Sequence, residues 1–219
     1  WEIFRKLLKK VTKKMPGGVG RPPFDEVMMF KILILQRLYD LSDEQTEYHI
    51  KDRLSFMRFL GFDFHSDVPD ENTIRNFREK LNEHKLMRKL FDRFNRMLNE
   101  KGLISKKGSI IDATIIDVPR QRNTRDENEQ IKNGETPADW EKNLNKMAQK
   151  DTDARWLKQN GRTYFGYKNH ARVDRKSKLV EDYTVTPAST HDSEAAAQII
   201  KGAPNDTPLY ADSAYNSKA

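Results

Sequence analysis

Two aspartates carry the chemistry this sequence offers. Asp112 stands in Ser109-Ile110-Ile111-Asp112-Ala113-Thr114-Ile115-Ile116, and Asp212 in Leu209-Tyr210-Ala211-Asp212-Ser213-Ala214-Tyr215. Both runs read as strands. Strand side chains alternate faces, so Asp112 and Thr114 share one with Ile110 and Ile116, while Ile111, Ala113 and Ile115 take the other. Apolar residues on both faces predict a strand covered on both sides. An ionised carboxylate there is costly unless it is hydrogen-bonded, paired or bound to a metal. If the two aspartates meet, they offer the hard oxygen ligands that Mg²⁺ takes beside water and substrate phosphate. Two such ions, about 3.5–4 Å apart, activate a water or a 3′-hydroxyl and steady the leaving oxygen in phosphodiester exchange. A third carboxylate is usually needed to hold the second ion. The plainer readings are a carboxylate capped by backbone amides for Asp112 and a turn cap for Asp212. Asp117 lies five positions from Asp112, an odd offset, so it points to the opposite face and is excluded.

Other groups have weaker claims. Lys168, His170 and Arg172 share one strand face; Lys168 and His170 can meet DNA phosphates, and an exposed basic strand explains them equally well. His191 sits before the helix that leads to the second aspartate and reads more readily as a loop or capping residue. Trp140 and Trp156 can stack on nucleic-acid bases, with packing anchors as the preferred reading. Arg75, Arg78 and Lys80 lie on the exposed side of a helix at 71–81, where they can touch DNA or form a solvated face.

The elements that must position these groups fall into two parts. A basic amphipathic segment at 1–20 carries Lys6, Lys9, Lys10, Lys13 and Lys14 around Ile3, Phe4, Leu7, Leu8 and Val11, and can lie on phosphates or pack on the next domain. The stretch 21–103 reads as all-helical. It has an apolar helix at 24–39, a capping box of Ser42 with Gln45, a short apolar segment at 54–60, and an Asp70-capped helix at 71–81. A helix at 84–100 follows, striped by Met87, Leu90, Phe91, Phe94, Met97 and Leu98 and closed by Gly102. Its short helices resemble a helix-turn-helix arrangement.

From Ile104 the period changes to two. After the Asp112 strand, residues 120–162 read as a polar insertion with one or two short helices. Strands at 164–174 and 179–187, a helix at 193–201 and a strand at 209–212 follow. The expected fold class is α+β: an N-terminal all-helical DNA-binding domain at 21–103, then an incomplete ribonuclease H-like α/β domain at 104–219 with an insertion after its first strand. In that core the first strand lies beside the strand that carries the second aspartate.

Composition narrows the partners. The chain has 219 residues and a net charge of +7, which favours a polyanion, nucleic acid before a membrane surface. It has no cysteine, which excludes disulfides and thiolate zinc sites. No apolar run approaches the ~20 residues of a membrane span. A cytoplasmic setting is the default.

A set of short motifs carries a family resemblance: Gly20-Arg21-Pro22-Pro23, the 41–60 helices, Val68-Pro69-Asp70 with Thr73-Ile74-Arg75, Ile111-Asp112-Ala113-Thr114, Phe165-Gly166-Tyr167-Lys168-Asn169-His170, Thr190-His191-Asp192-Ser193 and Ala211-Asp212-Ser213-Ala214-Tyr215. In this order they resemble bacterial insertion-sequence transposases of the IS5 group, within the wider IS4-type DDE superfamily. The resemblance implies a helical domain that binds terminal inverted repeats and a catalytic domain using Mg²⁺, with Mn²⁺ as a substitute, in a two-metal site. It implies double-stranded DNA as partner (element ends and target), a homodimer in the active complex, and a nucleoid-associated bacterial protein. Asp112 resembles the family's first catalytic aspartate and Asp212 its second. The family's third acidic ligand, a glutamate on a later helix, has no counterpart in the seven residues after Asp212. The resemblance thus implies a truncated transposase that binds DNA without catalysing. The alternatives are a non-enzymatic DNA-binding repressor of transposition and a metal-dependent nuclease on the same fold.

Overall fold

The computed structural model describes residues 1–12, 22–118, 121–203 and 207–215. The chain divides into two compact units, Trp1–Glu100 and Lys101–Ala219. The part of the basic segment from Lys13 onward and the Gly20-Arg21 pair of the motif set lie outside the described residues.

The first unit is helical: α1 (Arg5–Leu8), α2 (Glu26–Leu38), α3 (Asp43–Asp52), α4 (Leu54–Leu60), α5 (Glu71–Glu83) and α6 (Leu86–Glu100). Its local signals work as the residue types dictate. Asp25 caps α2 by accepting from the amides of Val27 and Met28, and Ser42 with Gln45 forms a full capping box on α3. Gly61 ends α4 in the left-handed region at φ 85°, where a side chain would be strained. Ile32, Ile50, Ile74, Leu81 and Leu86, one or two from each of four helices, are fully buried in one core. Phe4, Leu8 and Val11 belong to that core too. Of the two readings for the N-terminal segment, its described part therefore packs on the helical unit. The α6 stripe splits: Leu90 and Leu98 are buried, while Met87 and Phe94 are exposed.

The second unit is built on β1 (Ser109–Asp117). Then come α7 (Arg125–Lys132), α8 (Ala138–Glu141), α9 (Leu144–Gln149), β2 (Arg155–Gln159), β3 (Arg162–Asp174), β4 (Val180–Pro187), α10 (Asp192–Ile200) and β5 (Leu209–Tyr210). The long β3 is the spine. It pairs antiparallel with β1 along one edge, and with β2 and then β4 along the other. β5 joins β1 on its free edge, in parallel. Helix and strand are thus mixed in the α+β sense.

Two expectations need correction. The insertion is more than a loop with helices, because its end forms β2 and a hairpin with β3. Asn160 and Gly161 both take positive φ, at 51° and 75°, the two-residue turn whose twist suits a hairpin. β1 is not covered on both faces. Ala196 and Ile199 of α10 pack with Ile111, Ala113 and Leu209 on one side. On the other, Asp112 and Thr114 are exposed, and Ile116 is 47% exposed. The physical reason is that α10 lies on the Ile111 face alone.

Candidate functional site

The parallel pairing of β1 with β5 builds the site. Ser109 pairs with Leu209 and Ile110 with Tyr210. Paired residues of parallel strands share a face, so Tyr210 lies on the Ile110 side. Asp112 and Asp212 each lie two residues beyond the Ile110–Tyr210 pair, Asp212 past the last paired residue of β5. Both carboxylates are exposed. Asp112 Oδ1 accepts from the amide of Ala113 at 2.8 Å, and Asp212 Oδ1 from that of Ala214 at 3.0 Å. Each keeps oxygen lone pairs for a ligand. The pair offers exposed, hard oxygen donors, which fits a divalent ion completing its shell with water and phosphate. Among the described residues no group of three or more acidic or histidine side chains is placed to hold a metal. Asp117, excluded on strand parity, is engaged elsewhere: it pairs with Arg122 at 2.6 Å and accepts from the Phe165 amide at 3.1 Å.

The basic strand residues sit on the opposite side. The antiparallel register sets Lys168 beside Ile115, His170 beside Ala113 and Arg172 beside Ile111. All three are therefore on the α10 face and buried, His170 completely. Their expected exposure to DNA phosphates from the strand surface is corrected. Lys168 Nζ donates to Asp192 Oδ1 at 2.8 Å and to the Thr190 carbonyl at 2.9 Å. Tyr215 Oη and His170 Nδ1 are 2.8 Å apart, and His170 Nε2 and Thr186 Oγ1 3.0 Å. Burial pushes the His170 pKa down; the nearby Asp192 charge opposes this and Lys168 adds to it. Burial also pushes the Tyr215 hydroxyl up, and so do the charges of Asp192, Asp112 and Asp212. The two candidate ligands thus act on one phenol. Arg172 reaches Glu181 and Asp182 only at 3.7 and 3.9 Å, and its Nε and Nη1 have no hydrogen-bond partner among the described residues. His191 caps α10 through Nδ1, as its preferred reading expected.

The insertion has its own small core. Trp140 is buried, its indole donating to Glu127 at 2.7 Å. Burial pushes Glu127 up. Hydrogen bonds from Trp140, the Thr124 amide and Lys150 outweigh it and hold the carboxylate at about 2. Trp156 packs on Phe165 with ring centroids 5.0 Å apart, and its indole donates to the Asn123 carbonyl. Tyr167 fastens this core to the sheet by donating to the Asp151 carboxylate at 2.6 Å.

In the helical unit the three cations of α5 part company. Arg78 lies between helices, making two hydrogen bonds to Asp43 at 2.6 and 2.7 Å and one to Gln36 at 3.0 Å. Its place on a free DNA-facing or solvated surface is corrected: the Asp43 carboxylate claims it. Arg75 and Lys80 are exposed, Arg75 near Asn72 and Glu79. A further cationic groove went unforeseen. Lys89, Arg93 and Arg96 of α6 line it with Lys6, and Glu2 and Asp92 line it too. Their spacing of four and three residues marks one helix face and was the available signal.

No described helix is long and apolar enough to cross a membrane. Comparison with known families gives two matches, one in each part of the chain. Residues 1–80 match the family described as Transposase domain (DUF772). Residues 104–219, more than half the chain, match the family described as Transposase DDE domain. No solved structure matches. The chain belongs to the DDE transposase domain family, preceded by a second transposase-associated domain.

Proposed function

We propose that this transposase is of the IS5 group, and that Asp112 and Asp212 hold Mg²⁺ or Mn²⁺ for DNA cleavage and strand transfer at terminal inverted repeats. The observation that supports the reading is that Asp112 and Asp212, both exposed, each stand two residues past the parallel Ile110–Tyr210 pair, and that both charges act on the Tyr215 hydroxyl. A DDE transposase domain implies a divalent metal. Bound there, it would polarise the scissile phosphate and activate the attacking oxygen. The chain's own contribution is to hold two exposed carboxylates, one within β1 and one just past β5. The strand order, with β1 between antiparallel β3 and parallel β5, supports a ribonuclease H-like reading. The proposed domains follow the expected ones, with the 1–20 segment joined to the helical DNA-binding part. In that part we assign DNA contact to Arg75 and Lys80, with the Lys6–Arg96 groove adding sequence-independent affinity. The active complex would be a homodimer in the bacterial cytoplasm.

A second reading is a non-enzymatic DNA-binding repressor of transposition, which the exposed Arg75 and Lys80 of α5 support equally. The deciding experiment incubates the purified chain with end-containing DNA and Mn²⁺, beside Asp112→Asn and Asp212→Asn. Calorimetric Mn²⁺ binding lost in both variants supports the site. Unchanged binding in both removes it. Metal-dependent cleavage by the parent chain would refute the repressor reading alone.

A further inference from the structure

We propose that Tyr215, latched to the buried His170, is a positioning residue that holds Asp212 alongside Asp112. This rests on the assignment of those aspartates as metal ligands. The problem it answers is mechanical. Ladder pairing between β1 and β5 ends at Ile110 and Tyr210, so no strand hydrogen bond fixes residues 211 and 212. The following 3-10 turn, Ser213–Tyr215, is tied to Asp212 by the Ala214 amide on its carboxylate and the Tyr215 amide on its carbonyl, at 3.0 and 3.3 Å. Those bonds are local. They shape the turn and do not locate it against β1.

Tyr215 supplies the missing constraint. It is 8% exposed and packs with Ile111, Ala196 and Ile199. Its hydroxyl lies 2.8 Å from His170 Nδ1, with the two rings edge to face at 88°. His170 stands on β3 directly opposite Ala113, the residue after Asp112. Its other nitrogen meets Thr186 of β4, so the imidazole is held at both ends. A neutral ring has one N–H, donating to one hydroxyl and accepting from the other. The chain Thr186–His170–Tyr215 thus ties the Asp212 turn to the strand that neighbours Asp112. Metal geometry tolerates a few tenths of an ångström, so a ligand on an unpaired segment needs such a tie.

The test uses the full chain and two readouts, calorimetric Mn²⁺ affinity and amide hydrogen exchange. Tyr215→Phe keeps the ring and removes the hydroxyl. It is expected to speed exchange across 209–215 about tenfold, leave β1 and β3 within about twofold, and weaken Mn²⁺ binding about five- to tenfold. Thr186→Val, which acts only through the imidazole, should weaken Mn²⁺ by a smaller factor, about two to three, and keeps the question open if Tyr215→Phe does not fold. A lowered melting temperature with unchanged Mn²⁺ affinity would mean a merely structural tyrosine and overturn the proposal. So would unchanged exchange and affinity in Tyr215→Phe while Asp212→Asn abolishes binding, which leaves the metal site standing. If Asp112→Asn and Asp212→Asn both bind Mn²⁺ like the parent, the site reading falls, and the positioning role with it.

Discussion

The two faces of one sheet are built from the same strands and treat charge in opposite ways. On the α10 face lie Lys168, His170 and Arg172, all buried. On the other, one residue along, Asp112 and Thr114 are exposed and Ile116 is 47% exposed. Three basic side chains are inside while Ile116 is outside, the reverse of what residue type alone predicts. The difference follows from where the one covering helix lands. A side chain under α10 must find a partner, and Lys168 finds Asp192 while His170 finds Tyr215 and Thr186. A side chain on the open face is solvated and stays available. The rigid face supports, and the open face is free to bind.

If that contrast is right, substitutions on the two faces must differ in kind. The largest loss is expected at Gly166, where the strands meet. A Cβ there would collide with the Ile116 carbonyl while the Val118 amide donates to Phe165 beside it. Gly166→Val should therefore lower stability by more than about 3 kcal/mol, the range of overpacking plus a broken ladder. Urea unfolding of the purified chain measures it, and a midpoint like the parent's would show that β1 and β3 can part freely. Next comes Lys168→Met, which strands the largely buried Asp192 carboxylate and should cost about 3 kcal/mol. Asp112→Asn, on the open face, should change stability by no more than about 0.5 kcal/mol while removing Mn²⁺ binding. Equal losses at Lys168 and Asp112 would erase the distinction between the faces.

Acid sharpens the same comparison through sign. Burial depresses the His170 pKa below its ordinary 6.5. The unfolded chain then binds the extra proton first, so the contribution is fully present above pH 6.5 and is lost as pH falls below it. Glu127, held at about 2 against an ordinary 4.5, is also depressed and loses its contribution between those values. Two acid-labile windows are expected in melting temperature, one starting near neutrality and one below about pH 4.5. His170→Gln should remove the first and leave the second. A first window that survives that substitution would place the titrating group elsewhere.

Local signals were legible wherever the residues dictating a feature sit next to it. The Ser42–Gln45 capping box and the Asp70 cap form as the sequence predicts. β1 and β3, strongly periodic, are placed within a residue or two. The exposure of Asp112 and Asp212 was not legible, because burial of a strand face depends on which side a distant helix packs. The same ignorance misplaced Lys168 and His170. β2 was missed although Asn160-Gly161 is a hairpin signal in plain view; a polar strand such as Arg155-Trp156-Leu157-Lys158-Gln159 has little periodicity to flag it. Arg78 was misread because its partner, Asp43, is 35 residues away.

The smallest effects come from α5, where cations held by a partner helix and cations open to solvent share one helix. Arg78 bridges to Asp43 and Gln36, and Arg75 and Lys80 face solvent. Arg78→Ala should lower stability by about 1 kcal/mol, and leave the salt dependence of DNA binding as it is. Arg75→Ala and Lys80→Ala should do the opposite, leaving the melting temperature unchanged and each reducing the salt slope of binding by about 1, the loss of one phosphate contact. Fluorescence anisotropy with a labelled end-containing duplex over a salt series reads that slope directly. If Arg78→Ala alone moves it, the inter-helix arginine leaves Asp43 for phosphate on binding, and the division into supporting and binding cations fails on this helix.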